Sequence, residues 1–317
     1  MSIKEQFYNC SFFYKMNKYS FLYLITCYAL ASIFTLQNSI DLSHQIIGSL
    51  FLIILFGIPH GAIDNIILQS ESQISSRKFY FLYISCIFAY ILFWILSPLL
   101  SFCFFLIISA YHFGESQLAN YSISIKIKKS IYFFWGLALM STLFFYNSQE
   151  LKSLFATFKD TNGLNYIFNY NIIKLIFYLS NAIILLLLIF SCIKKNMDSY
   201  AFNSEIFQLV LIHITFYLFP VIISFTLYFV FLHSLKVLNQ EYSYLNRNIS
   251  KTNLFQFVKM LVPHTFFSLF FMAIFVYMSV SEIINMSILL FSIVSISVIT
   301  LPHSIVMARF YNKFKKV

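Results

Sequence analysis

The chain has 317 residues, of which 60% are hydrophobic, 21% aromatic and only 10% charged. So few charges cannot solvate a soluble domain, and apolar runs of about 18 residues and more are long enough to cross a bilayer as helices. Forty-one Phe and only six Gly do not make the short alternating segments of a β-barrel. The expected fold class is all-α, a polytopic integral membrane bundle of about ten transmembrane helices.

A polar, Lys-containing tail over 1–18 precedes the first span, 19–37. That span is too long for a signal-peptide core and has no small-residue cleavage site, so it reads as a retained anchor. Further spans follow at 46–68, 79–97, 99–114, 130–146, 172–193, 205–219, 220–238, 257–279 and 286–308, before a basic tail over 309–317. The polar segment 147–171 is too short for a domain, and no Pro/Gly/Ser-rich linker divides the chain. Residues 19–308 are therefore expected to form one membrane domain carrying the catalytic site.

The net charge of +10 follows this topology. With the N-terminus inside, 17 Lys and Arg fall on the cytoplasmic side, among them Lys236, Arg247 and Lys251 around the end of the eighth span. Three, Lys152, Lys159 and Lys174, fall opposite. This is the positive-inside asymmetry, which puts both termini in the cytoplasm and excludes nucleic acid as the partner. Cys10, Cys27, Cys86, Cys103 and Cys192 form no C-x-x-C pair and read as small apolar packing residues.

Four of the seven histidines sit deep in spans. His60 lies in Pro59-His60-Gly61-Ala62-Ile63-Asp64, His112 in His112-Phe113-Gly114-Glu115, His233 before Ser234, and His303 in Leu301-Pro302-His303. They fall in the second, fourth, eighth and tenth spans, which run the same way, at similar distances from the span starts. One layer, toward the cytoplasmic half, should hold all four. His213 and His264 reach nearly the same depth from oppositely directed spans, whereas His44 lies in a short outer loop. Ionisable residues persist inside spans where they face the bundle interior and do something, and neutral imidazole suits iron, copper, zinc or nickel.

Three of the five prolines directly precede a histidine, far more than chance placement gives. A proline removes a backbone donor and bends a helix, which turns the next side chain toward a cavity. Asp64 follows His60 by four residues and Glu115 follows His112 by three, so on α-helices each shares a face with its histidine. A carboxylate accepting the imidazole N–H would fix its tautomer. His60, His112 and His233 are thus the expected metal ligands, with Asp64 and Glu115 behind them. His303 is an additional ligand or a pocket residue, and His213 reads as a packing residue.

At these positions the chain resembles the Brp/Blh family of integral-membrane β-carotene 15,15′-dioxygenases, bacterial enzymes that make retinal for microbial rhodopsins. The matching stretches are Gly57 to Asp64, Tyr111 to Gly114, Phe231 to Ser234 and Thr300 to His303. The resemblance covers about residues 45 to 317, leaving the first span as an extension. It implies a non-haem Fe(2+) cofactor held by His60, His112 and His233, with O2 and β-carotene or a related carotenoid as substrates. It also implies retinal as product, a bacterial inner-membrane location and a functional link to a rhodopsin.

The family's fourth histidine, four residues after the third, corresponds to Val237, which cannot bind metal, and its Asp five residues after the second corresponds to Gln117. His264, which follows Pro263 in the ninth span, is the favoured stand-in for the missing ligand, and His303 is its rival. These departures keep one alternative open: a carotenoid- or retinal-binding membrane protein, or a transporter, without catalysis. A membrane desaturase is disfavoured, because no H-x-x-H-H cluster occurs.

Overall fold

The protein is described here by a computed structural model over residues 17–37, 41–72, 74–121, 123, 125–248 and 252–314. Most of the expected N-terminal tail and the last residues of the basic C-terminal tail lie outside these. No strand occurs among the described residues. The helices are α1 (Lys18–Gln37), α2 (Leu42–Leu52), α3 (Asp64–Ser72), α4 (Ser76–Leu96), α5 (Pro98–Leu118), α6 (Ile125–Tyr146) and α7 (Ser148–Ala156). After them come α8 (Tyr170–Ile193), α9 (Ser199–Leu218), α10 (Val221–Leu227), α11 (Leu235–Asn248), α12 (Leu254–Val280) and α13 (Ile288–Phe314).

Eight helical stretches among the described residues are long and apolar enough to cross a membrane. Helices α1 and α6 cover the other two expected spans, and the fold is an all-α membrane bundle. Helices suit this setting because a bilayer offers no water to hydrogen-bond the backbone, so each span must satisfy its own N–H and C=O groups. The outward faces confirm the solvent: Phe88, Leu186 and Phe271 are each about two-thirds exposed, an arrangement suited to lipid. Polar caps hold the ends. The side chains of Ser75, Asp198 and Asn253 accept backbone N–H groups in the first turns of α4, α9 and α12.

Two of the spans are composite, and both carry a site histidine. The first runs from α2 through a π-helical turn (Ile53–Gly57) and a 3-10 turn (Ile58–Gly61) into α3. Pro59 sits in the first positions of the 3-10 turn, where its missing N–H removes a backbone bond. The second composite span runs from α10 through a π-helical stretch (Tyr228–Ser234) into α11. Such irregular turns recur at functional sites because they re-aim side chains.

Helices α5 and α6 cross at backbone contact. A Cβ placed on Gly114 would collide with the Tyr132 carbonyl, and one on Gly136 with the Ala110 carbonyl. Small residues four apart on α5, Ala110 and Gly114, create this close crossing. Trp94 Nε1 donates to Ser297 Oγ at 2.8 Å and ties α4 to α13.

The structure corrects several expectations at the span ends. The segment 147–171 is not a plain loop: α7 and a 3-10 stretch (Asn162–Phe168) fold back and bury Leu151, Phe155, Leu164 and Phe168. His44 lies within α2, near its start, with its side chain 75% exposed. Lys236 is buried, not a loop cation.

Candidate metal centre

The irregular turn before His60, the α5 helix with His112, the π-helical stretch with His233 and the α13 helix with His303 converge. Each of these rings is almost fully buried. Ring centroids of His60 lie 5.2 Å from His233 and 5.0 Å from His303, and those of His112 lie 5.1 Å from each. Interplanar angles of 76° and 85° set neighbouring rings edge to face. Four imidazoles therefore close a cycle in which His60 opposes His112 and His233 opposes His303. One ring nitrogen from each of His60, His112 and His233 lies within 4.8 Å of the others, the closeness that convergence on a single ion requires.

Hydrogen bonds fix the orientation of three rings. His303 Nδ1 donates to the Asp64 carboxylate at 2.9 Å and 3.0 Å. His60 Nδ1 bonds the Gly57 carbonyl. Ser116 Oγ spends its proton on the Phe113 carbonyl at 2.9 Å, so it accepts from His233 Nδ1 at 3.0 Å. Each Nδ1 thus carries the proton and each Nε2 a lone pair. The Nε2 atoms of His233 and His303, and both ring nitrogens of His112, are buried with no hydrogen-bond partner. Gathered imidazole nitrogens without partners are a donor set that a bound cation would satisfy. The donor set of neutral imidazoles fits a first-row divalent metal.

The supporting residues differ from expectation. Asp64 bonds His303 instead of His60, because the chain between His60 and Asp64 is a 3-10 turn followed by an open turn. The i, i+4 register of an α-helix does not apply there. Tyr83 Oη also donates to Asp64, at 3.2 Å. Glu115 is buried but makes no bond to His112, whose nitrogens are both unpartnered. His264 lies apart on α12, its Nε2 3.4 Å from the Tyr80 hydroxyl. His213 is satisfied by Tyr146 at 3.3 Å and Asn181 at 3.1 Å. Val237 is fully buried in an apolar cluster with Ile63, Met307 and Phe310.

A polar network beneath the centre went unread in the sequence. Glu205 is fully buried and accepts from Gln117 Nε2 at 2.8 Å, Tyr121 Oη at 2.9 Å and Trp135 Nε1 at 3.0 Å. Lys236 Nζ donates to the Gln117 carbonyl at 2.8 Å and to Gln117 Oε1 at 3.1 Å. Gln117 thereby bridges a buried cation and a buried anion. It joins α5, five residues after His112, to α11, three residues after His233. The available sequence signal is Lys236, inside the cytoplasmic end of the eighth expected span and three residues after His233.

Residues 51–311 match the family model described as beta-carotene 15,15'-dioxygenase. Neither the curated proteins nor the solved structures contain a match. The family match spans most of the chain, including all four clustered histidines, and the protein therefore belongs to the β-carotene 15,15′-dioxygenase family.

Proposed function

We propose that the protein uses iron(II) and O2 to cleave β-carotene at its central double bond, giving two molecules of retinal. The observation that carries this reading is the cycle of four buried imidazoles, in which the Nε2 atoms of His112, His233 and His303 have no hydrogen-bond partner. His60, His112 and His233 would hold the ion. His303 would supply the fourth nitrogen, which Val237 cannot.

Iron(II), when bound, supplies the electrons that ground-state O2 needs before it can react with an alkene. The overall reaction breaks one C=C bond and the O=O bond and forms two C=O bonds, with both oxygen atoms ending in the aldehydes. No net proton transfer is required. Asp64, Ser116 and the Gly57 carbonyl hold their imidazoles in one tautomer and orientation. Phe113 and Phe229 pack on His233 at 4.9 Å and 5.5 Å and keep water from the centre. The substrate, itself lipid-soluble, reaches the site from the bilayer.

Residues 19–308 act as one catalytic membrane domain in a bacterial cytoplasmic membrane, with both termini inside, and the retinal serves a microbial rhodopsin. Labelling Lys128 and Asn162 should place them on opposite faces of the membrane. In β-carotene-producing bacteria, expression should bleach the orange pigment and yield retinal by chromatography, in an iron- and oxygen-dependent way. Unchanged carotenoid beside well-folded protein would leave the non-catalytic carotenoid binder as the better reading.

A further inference from the structure

Above His233, the composite span carries a stripe unlike its surroundings. Along Val221–Val230 the half-exposed residues are Ile222, Phe225 and Phe229, and their neighbours are buried. Spacings of three and four put these on one helical face, and four residues on, the same face reaches His233. Phe225 and Phe229 stack at 5.5 Å and 13°, and Phe229 stacks on His233 at 5.5 Å and 20°. Two nearly parallel, partly exposed phenyl rings thus lead to the His233 imidazole. Phe229 also meets His60 edge-on at 5.5 Å.

The opposite wall is shaped to match. Helix α10 packs on α2, and the π-helical turn after α2 brings Gly57 against Phe229. A Cβ on Gly57 would lie 2.8 Å from Phe229 Cε1, so any larger residue would displace that ring. Phe51 and Leu55, on the same span as Gly57, are 62% and 47% exposed and continue the seam into lipid.

We propose that the Ile222–Phe225–Phe229 stripe is the track for one half of the polyene, and that Phe229 sets which double bond reaches the metal. The inference rests on the carotenoid-cleaving reading above and assigns its substrate contact. A flat conjugated chain lying along a column of stacked rings presents its π-face to their edges, and edge-to-face contacts attract beyond their burial of area. A saturated acyl chain gains only the apolar contact. From Ile222 to His233 the stripe runs roughly 15 Å at helical rise, an extended path that ends at the metal-binding layer.

The test uses the full-length iron-loaded protein in nanodiscs. Phe225→Leu, Phe229→Leu, Phe229→Ala and Gly57→Ala are compared with Phe267→Leu, a control on the lipid face of α12. Iron per chain, KM and kcat for β-carotene, and the lengths of the aldehydes formed are measured. Phe225→Leu and Phe229→Leu should keep their iron and raise KM about tenfold. Phe229→Ala and Gly57→Ala should add off-centre aldehydes to retinal, and Phe267→Leu should match the wild type.

Unchanged KM, with retinal as sole product in all the stripe variants, would overturn the proposal while leaving cleavage intact. If the wild type holds iron but makes no retinal, the cleavage reading fails, and β-carotene binding followed by its absorbance shift becomes the readout. Binding weakened by Phe225→Leu and Phe229→Leu would then support the track. Binding that is absent, insensitive to both, or displaced equally well by saturated phospholipid would overturn it.

Discussion

Replacing Gly114 with Ala tests how tightly the fold holds its metal-binding layer. The added Cβ would lie 2.6 Å from the Tyr132 carbonyl carbon and 3.0 Å from its Cα, and still nearer the carbonyl oxygen. Ordinary contact begins at 3.4 Å, so the carbonyl carbon alone demands a separation of about 0.8 Å. The obstructing atoms are backbone and cannot rotate aside, which puts the overpacking cost near the upper end of its usual range, about 3 kcal/mol. That corresponds to a fall in Tm of roughly 4–5 °C for a chain of this size. His112 lies two residues from Gly114 on α5, and a displacement near 1 Å at a reacting centre can cost about 100-fold in rate. The expected outcome is a lower Tm by fluorescence-detected size exclusion, less iron per chain and a sharply reduced kcat. Gly136→Ala should act alike, and the double variant should cost less than the sum, since one separation relieves both clashes. Gly163→Ala, with nothing within 4 Å of its new Cβ, should be near neutral. Unchanged Tm and iron content in Gly114→Ala would refute the close-crossing argument.

Single His→Ala changes at His60, His112, His233 and His303 should each reduce bound iron measured by mass spectrometry, while His264→Ala should leave it intact; retention by His303→Ala would remove it from the ligand set. Asp64→Asn should weaken metal affinity by about 10- to 100-fold, the usual cost of losing a carboxylate behind a ligating histidine, and equal affinity in a chelator competition would count against that role. Glu205→Gln should destabilise by about 3–5 kcal/mol because it leaves Lys236 buried without its countercharge. Combining it with Lys236→Met should recover part of that loss, and a double variant no more stable than Glu205→Gln alone would argue against pairing.

The histidine layer was legible because its signals are local. Pro59-His60, His112-Phe113-Gly114 and His233-Ser234 each sit well inside an apolar run, and counting residues from the span starts put them at one depth. What failed depended on local helix geometry or on distant partners. Asp64 was paired with His60 by α-helical spacing, but the π and 3-10 turns around Pro59 rotate the chain, and the carboxylate faces His303 on the last helix. Two candidates at compatible depth, His264 and His303, could not be separated by depth alone, because depth gives no angle around the bundle axis. Glu205 stood at the start of an expected span, where a carboxylate ordinarily meets water. Only the fold reveals that Gln117, Tyr121 and Trp135 surround it.

The order in which the four imidazoles leave the ribosome has a consequence for biogenesis. His60 and His112 are inserted early, His233 follows after three further spans, and His303 arrives only with the final helix. Asp64 has the Tyr83 hydroxyl as an early partner, but it waits through nearly all of synthesis until α13 brings His303. A nascent chain halted before residue 303 would present an incomplete donor set and a buried carboxylate lacking its imidazole, a combination that weakens both metal capture and packing. On the proposed reading, in which His303 supplies the fourth nitrogen, the ligand set would be complete only once the last span has docked against the second.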